Sequence, residues 1–303
     1  MGGLCVSAPL TFLVFNFYFF IVFSCFSFCA SGRLQKLNAF TMATVNGIDF
    51  CDEGLRGGAA IVLIHGFPLN RAMWAGQITA LLKTHRVISY DVRGHGESSV
   101  GDGHYSLELF VDDLVGVLDH LKLSSVVDCG LSMGGYIALR AVERHPEKFR
   151  GLILCDTKSS ADSDEAKKKR ALTSETVKKS GVPAFADEFV KAVLTERTLK
   201  TKPELVESVK NMIRGNAALG VAGTLLALAG RTETTPALPK MSLPTLILVG
   251  DQDKLTPPSE AQAMANALPN ARICLIPKAA HLSNLENPEA FNKELLMFLK
   301  NLS

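Results

Sequence analysis

Residues 59–64 (Ala-Ala-Ile-Val-Leu-Ile) form an unbroken apolar run. A run this short and this rich in branched side chains is the pattern of a strand buried on both faces. Residues 86–90, 126–129, 150–154, 244–249 and 272–276 carry similar runs. Between them the apolar positions change to helical spacing. Residues 72–83 place Trp74, Ile78, Leu81 and Leu82 on one side, and residues 106–121, 261–268 and 290–299 also read as helices. Strands alternating with helices predict the α/β class, with a doubly wound, mostly parallel sheet and functional groups at the carboxyl ends of its strands.

The alternation breaks after Asp156. Residues 159–170 are polar and charged, and helical patterns follow near 164–180, 183–194, 203–213 and 217–229, with Pro183 and Pro203 near helix starts, where proline is tolerated. The expected organisation is therefore a core of residues 42–157 and 239–303 with a helical insertion at 158–238. The insertion's apolar faces (Phe185, Phe189, Val193, Leu194; Met212, Ile213; Leu219, Val221, Leu225, Leu226, Leu228) are expected to be buried. The cationic run at 167–170 is expected to be a solvated helix face, as most isolated charge runs are.

A hydrophobic leader precedes this body. Residues 10–30 are apolar and rich in Phe, and no charged side chain occurs before Arg33. About 21 such residues are enough to span a bilayer. Three readings stay open for residues 1–41: a signal peptide, a membrane anchor and a non-native extension upstream of a start at Met42. The missing positive n-region counts against the signal. Arg33 and Lys36 downstream favour an anchor with the body in the cytoplasm. A real leader makes the protein membrane-anchored or secretory; a start at Met42 makes it cytoplasmic.

Composition narrows the partners. Hydrophobic residues make up 47% of the chain and charged residues 20%, ordinary values for a globular protein with a sizeable core. A net charge of +2 gives no reason to expect a nucleic-acid partner. The seven cysteines are scattered without Cys-x-x-Cys or Cys/His spacing, so buried free thiols are expected, with neither zinc site nor disulfide framework.

The chemistry is concentrated in Gly130-Leu131-Ser132-Met133-Gly134, set between the strand at 126–129 and a helical pattern. Gly-x-Ser-x-Gly in that context is a nucleophile elbow: a sharp turn lifts the hydroxyl above the sheet, and the two glycines relieve the crowding. The Met133 amide and the start of the helix then face any oxyanion that forms. Downstream, Gly250-Asp251-Gln252-Asp253 follows a strand, and His281 follows the last one. The chain order Ser132, acid, His281 is that of the hydrolase elbow enzymes.

His65-Gly66-Phe67-Pro68 after the first strand, Asp91-Val92-Arg93-Gly94-His95-Gly96-Glu97-Ser98, and Gly130-Leu131-Ser132-Met133-Gly134-Gly135 together resemble the α/β-hydrolase superfamily. Their spacing is similar to that of small carboxylesterases and enol-lactonases of the 3-oxoadipate type, over nearly all of residues 44–302. The resemblance implies an α/β-hydrolase fold with a helical cap over the site. It implies a triad of Ser132, Asp253 and His281, and an oxyanion hole from the backbone N–H groups of Met133 and Phe67. Asp251 is the runner-up acid and Asp156 the third. His65 is expected to brace its loop, and Arg93, His95 and Ser98 to stitch loops together. The implied activity is serine hydrolysis of a small to medium carboxylic ester or lactone through an acyl-enzyme, with no metal or organic cofactor. The alternatives are an enol-lactonase, a carbon–carbon bond hydrolase, and a non-enzymatic small-molecule receptor on the same fold. Serine at the elbow argues against the superfamily's dehalogenases and epoxide hydrolases, which use Asp there.

Overall fold

The computed structural model describes residues 41–302. The apolar leader at 10–30 lies outside the described residues. Among the described residues, no single helix is long and apolar enough to cross a membrane. The first element is a hairpin, β1 (Thr41–Val45) and β2 (Ile48–Gly54), turned by Asn46 and Gly47 at φ 51° and 79°. Two successive positive φ values match the twist of the paired strands, which is why Asn-Gly serves there. This hairpin was not among the expected strands, and its β1 takes in residue 41, the last one assigned to the leader.

The remaining strands are β3 (Ala60–Ile64), β4 (Arg86–Tyr90), β5 (Val126–Leu131), β6 (Phe149–Cys155), β7 (Thr245–Gly250) and β8 (Ala271–Ile276). The sheet order is β1-β2-β4-β3-β5-β6-β7-β8, with β3 to β8 parallel and the hairpin antiparallel at one edge. Every residue of β3, β5 and β7 is buried, in keeping with their apolar runs, and the burial extends to Asp128 in the middle of β5. The edge strand β8 is largely half-exposed and correspondingly mixed in sequence.

Helices cover both faces. α2 (Leu107–His120), α3 (Met133–Arg144) and α9 (Pro258–Ala267) join one buried cluster, through Phe110, Ile137 and Met264. α1 (Ala75–Leu81) and α11 (Pro288–Asn301) join the other, through Leu81, Phe291 and Leu295. The N-terminal part of the helix expected at 72–83 is a 3-10 turn, Arg71–Trp74, capped by Asn70. Fully buried Trp74 packs at 6.2 Å from Phe291, and burying a large apolar side chain contributes about 1.5–3 kcal/mol. A short helix, α10 (Ser283–Glu286), precedes α11.

Five helices fall between β6 and β7: α4 (Asp164–Ser180), α5 (Pro183–Val193), α6 (Glu196–Thr201), α7 (Pro203–Arg214) and α8 (Ala218–Ala229). α6 was not expected; Thr195 caps its start by accepting from the Thr198 amide. Most of the anticipated apolar faces are buried or half-buried, but Leu219 and Leu226 are exposed, because α8 is apolar around its whole circumference and cannot bury every side.

Close backbone approach fixes where the sheet meets α3. A Cβ at Gly134 would lie 2.2 Å from the Ile64 carbonyl oxygen, and one at Gly130 would lie 2.1 Å from that of Gly134. Gly134→Ala must therefore push α3 away from β3, at a cost of about 3 kcal/mol or more, of the order of severe overpacking. Gly76 in α1 has open space around its Cβ position, and alanine there should stabilise by up to about 1 kcal/mol through helix propensity. Urea unfolding of the two variants should move in opposite directions.

Candidate active site

Ser132 sits between the end of β5 and the start of α3 at φ 53° and ψ −110°. Positive φ is strained for any residue with a Cβ, and four hydrogen bonds hold the conformation. The Ser132 amide donates to the Cys155 carbonyl at 2.9 Å. Its own carbonyl accepts from Thr157 Oγ1 at 2.8 Å, from the Gly135 amide at 2.9 Å and from the Tyr136 amide at 3.2 Å.

His281 lies in the loop between β8 and α10. Its Nε2 is 2.9 Å from Ser132 Oγ, and its Nδ1 is 2.8 Å from Asp253 Oδ2. Asp253 also accepts from the Leu255 amide at 2.8 Å, the Thr256 amide at 3.1 Å and Thr256 Oγ1 at 2.7 Å. Burial works to raise this carboxyl, but the charge and hydrogen bond of His281, with those of Thr256, overcome it and hold Asp253 below the usual carboxylate range. An ionised Asp253 only accepts, so it fixes the proton on Nδ1 and leaves Nε2 as acceptor for the Ser132 hydroxyl.

The other two carboxylates stand elsewhere. Exposed Asp251 accepts from the Ala279 amide at 3.3 Å, which caps the loop. Buried Asp156 accepts from the Gly250 amide at 2.8 Å and from Ser283 Oγ, tying β6 to β7 and α10. Burial and the charge of Asp253 push Asp156 well above the usual range.

The His65-Gly66-Phe67 loop lies beside the elbow: a Cβ at Gly66 would be 3.5 Å from Ser132 Cβ. Among the described residues, neither the Phe67 nor the Met133 amide donates a hydrogen bond to the protein. Together with Ser132 and His281, Phe67 lines a cavity of about 430 Å³. Phe185 and Phe189 of α5 stack against the Phe67 ring at 6.1 and 6.2 Å.

A family model for the α/β hydrolase fold matches residues 59–288. The chain belongs to the α/β-hydrolase family. A thermophilic esterase from Thermogutta terrifontis is 38% identical to it, with a TM-score of 0.83 over 88% of this chain and 99% of that one. An enol-lactonase from Burkholderia xenovorans is 30% identical, with a TM-score of 0.80 over 86% of this chain and 100% of that one. A 3-oxoadipate enol-lactonase from Acinetobacter baylyi is 28% identical over 253 residues, 84% of this chain and 93% of that protein. The mostly parallel sheet expected from the strand pattern is thus an α/β-hydrolase fold.

Two buried side chains that the sequence did not point to pin the insertion of this α/β hydrolase to its candidate site. Asn216, between α7 and α8, donates to the Pro68 carbonyl at 2.7 Å and accepts from the Gly96 amide at 2.8 Å. Glu286 accepts from the Ala280 amide at 2.6 Å, next to His281. It also accepts from the Thr195 amide at 2.9 Å and Thr195 Oγ1 at 2.7 Å. Both join positions far apart in the chain, so no local pattern marks them. The cationic run at 167–170 is also not uniform. Lys167 is solvated beside Asp164, but Lys169 and Arg170 line the cavity, because α4 packs along its rim.

The loop-bracing histidines stand where expected. His65 Nε2 accepts from the Val92 amide at 2.9 Å, so its proton is on Nδ1, which donates to the Gly66 carbonyl at 3.0 Å. His95 packs edge-on against His65 at 5.3 Å. Arg93 binds Asp113, and Ser98 Oγ bridges the Asp91 carbonyl to the Asp49 amide. Burial pulls His65 down to about 4 and His95 to about 3. An unfolded histidine takes up its proton near pH 6.5. The stability contributed by neutral His65 is therefore complete above pH 6.5 and lost as pH falls towards 4, where the unfolded chain binds a proton that the folded one excludes. Urea titrations from pH 7.5 to 5 should show wild-type protein losing more stability than His65→Gln, whose amide does not titrate.

Proposed function

We propose that this α/β hydrolase cleaves a small to medium carboxylic ester or lactone through an acyl-enzyme on Ser132. The observation that carries the reading is the unbroken Ser132–His281–Asp253 hydrogen-bond relay opening into a cavity. His281 Nε2 takes the hydroxyl proton as Ser132 Oγ attacks the carbonyl carbon. Asp253 holds the imidazole in the required tautomer and stabilises its charged form. The unpartnered amides of Met133 and Phe67 receive the oxyanion; losing one such donor typically costs about 3–4 kcal/mol of transition-state stabilisation. The tetrahedral intermediate collapses, and the proton on His281 passes to the leaving alkoxide. Water, deprotonated by His281, then attacks the acyl carbon, and the Ser132 oxygen leaves with that proton. In a lactone the leaving alkoxide stays tethered to the acyl group, and the steps are otherwise the same.

The helical insertion (158–238) acts as a cap that shapes the substrate pocket, since α4, α5 and α8 contribute lining residues. An enol-lactone is the second reading of the substrate, favoured by the similarity to two enol-lactonases.

Turnover of short- and medium-chain 4-nitrophenyl esters tests the proposal. Ser132→Ala and His281→Ala should each lower kcat by about 10³-fold or more with the fold intact by circular dichroism. Asp253→Asn should lower it by about 10⁴-fold, as expected when the histidine tautomer is wrong, and Asp251→Asn by only a few-fold. A folded protein inert towards every ester and lactone would favour the receptor reading instead.

A further inference from the structure

The strand that leads to Ser132 carries a carboxyl group that the candidate site does not use. Asp128 of β5 is fully buried, and neither of its oxygens has a hydrogen-bond partner among the described residues. Its neighbour Val126 shares a buried cluster with Phe110 of α2 and Ile137 of α3, whereas Val127 and Cys129 belong to the cluster on the opposite face. Side chains alternate along a strand, so Asp128 points to the α2 and α3 side of the sheet.

Nothing on that side compensates a charge. In the parallel ladder Asp128 stands between Val62 of β3 and Leu152 of β6. From β4 comes Tyr90, also fully buried, whose hydroxyl has no partner either. α2 brings the Asp113 carboxylate, which Arg93 engages at 2.8 Å. The other charges of α2 and α3 are occupied with one another or with the surface. Glu108 and Asp112 pair with Arg140 and Arg144 at 3.3 and 2.8 Å, and Arg140 also holds Glu143 at 2.7 Å. Asp119 pairs with Lys148, and His120 packs edge-on against Phe50 at 5.9 Å.

A carboxylate in such surroundings would lose its hydration with nothing in return, so the group keeps its proton instead. Burial pushes Asp128 well above the usual carboxylate range, and the Cys129 amide opposes this only in part, without hydrogen-bonding to it. Burial and the nearby Asp128 and Asp113 likewise push Tyr90 well above the usual phenol range. Water can reach Asp128 only where the helices part from the sheet, and α3 is the helix that packs on β5 and begins at the Ser132 turn.

We propose that Asp128 is a proton-controlled latch beneath the nucleophile elbow: as the neutral acid it lets α3 close on β5, and as the carboxylate it forces the two apart. The sign follows from linkage. An unfolded aspartate ionises at about pH 3.9. Above that pH the folded chain keeps a proton that the unfolded chain gives up. The stability tied to this proton is complete below about pH 3.9 and is lost as pH rises, until Asp128 itself ionises in the fold. Within that window each pH unit lowers the folding equilibrium constant about tenfold.

Urea unfolding of the full chain at pH 5, 6, 7 and 8 tests this, with wild-type protein set against Asp128→Asn and Asp128→Leu, which keep the side chain's shape and do not titrate. Relative to either variant, wild-type protein should lose about tenfold in folding equilibrium constant per pH unit. The infrared difference between wild-type protein and Asp128→Asn at pH 7 should contain the carbonyl band of a neutral carboxylic acid. Hydrogen exchange at pH 8 should be faster across residues 133–144 in wild-type protein than in Asp128→Asn, and the difference should shrink at pH 5. A wild-type-to-variant gap that does not change with pH would overturn the inference. So would a carboxylate band in place of the acid band, or equal exchange in α3 at pH 8. Failure of both variants to fold at pH 5 would overturn it as well, since a neutral side chain of the same shape must then be tolerated.

Discussion

The turn at Ser132 is the constraint around which the molecule is arranged. Its φ of 53° is strained for serine, and such strain costs of order 1–3 kcal/mol unless the surroundings impose it. Here they do so from three sides. The amide is tied to β6 through the Cys155 carbonyl, the carbonyl is held by Thr157, and α3 is pressed against the end of β3 at Gly134. Two of these supports are the central strands β6 and β3, and the third, Thr157, lies just past the end of β6. The sheet therefore supplies the rigidity that one strained residue needs, and the hydroxyl is left facing the cavity beside His281.

What surrounds that turn is delivered by loops at the carboxyl ends of strands. β3 leads to Phe67, β7 to Asp253 and β8 to His281. These loops are fixed by buried polar contacts rather than by packing alone. His65 joins the Phe67 loop to the one after β4, and Asp156 joins β6, β7 and α10. Asn216 and Glu286 then fasten the helical insertion to the loops carrying Phe67 and His281. A shift of the insertion is thus felt at both the proposed oxyanion site and the proposed base. The same insertion brings Lys169 and Arg170 to the cavity.

Much of this was legible in the residues. Apolar runs identify β3, β5, β6 and β7 because a strand covered on both faces carries few polar positions, the charged exceptions being Asp128 in β5 and Arg150 in β6. The Gly-x-Ser-x-Gly turn and the order Ser132, Asp253, His281 were readable because each residue follows a strand end. The choice of Asp253 over Asp251 came from a family pattern, and the structure sets Asp253, not Asp251, beside His281. Other features escaped for physical reasons. The β1–β2 hairpin is short and half-polar, although Asn46-Gly47 was a usable signal. α6 and α10 are too short to show a period. Asn216 and Glu286 act across long sequence separations, and a cationic run on a helix does not reveal which of its members faces a cavity.

The central claim is that Ser132 is a nucleophile activated by His281. Intact-protein mass spectrometry after exposure to a fluorophosphonate tests it directly, since such reagents phosphonylate an activated serine and release fluoride. The account predicts one adduct per chain, mapped by peptide sequencing to Ser132 and greatly slowed in His281→Ala. A folded protein that stays unmodified, or an adduct on another residue at the same rate in Ser132→Ala, would contradict it.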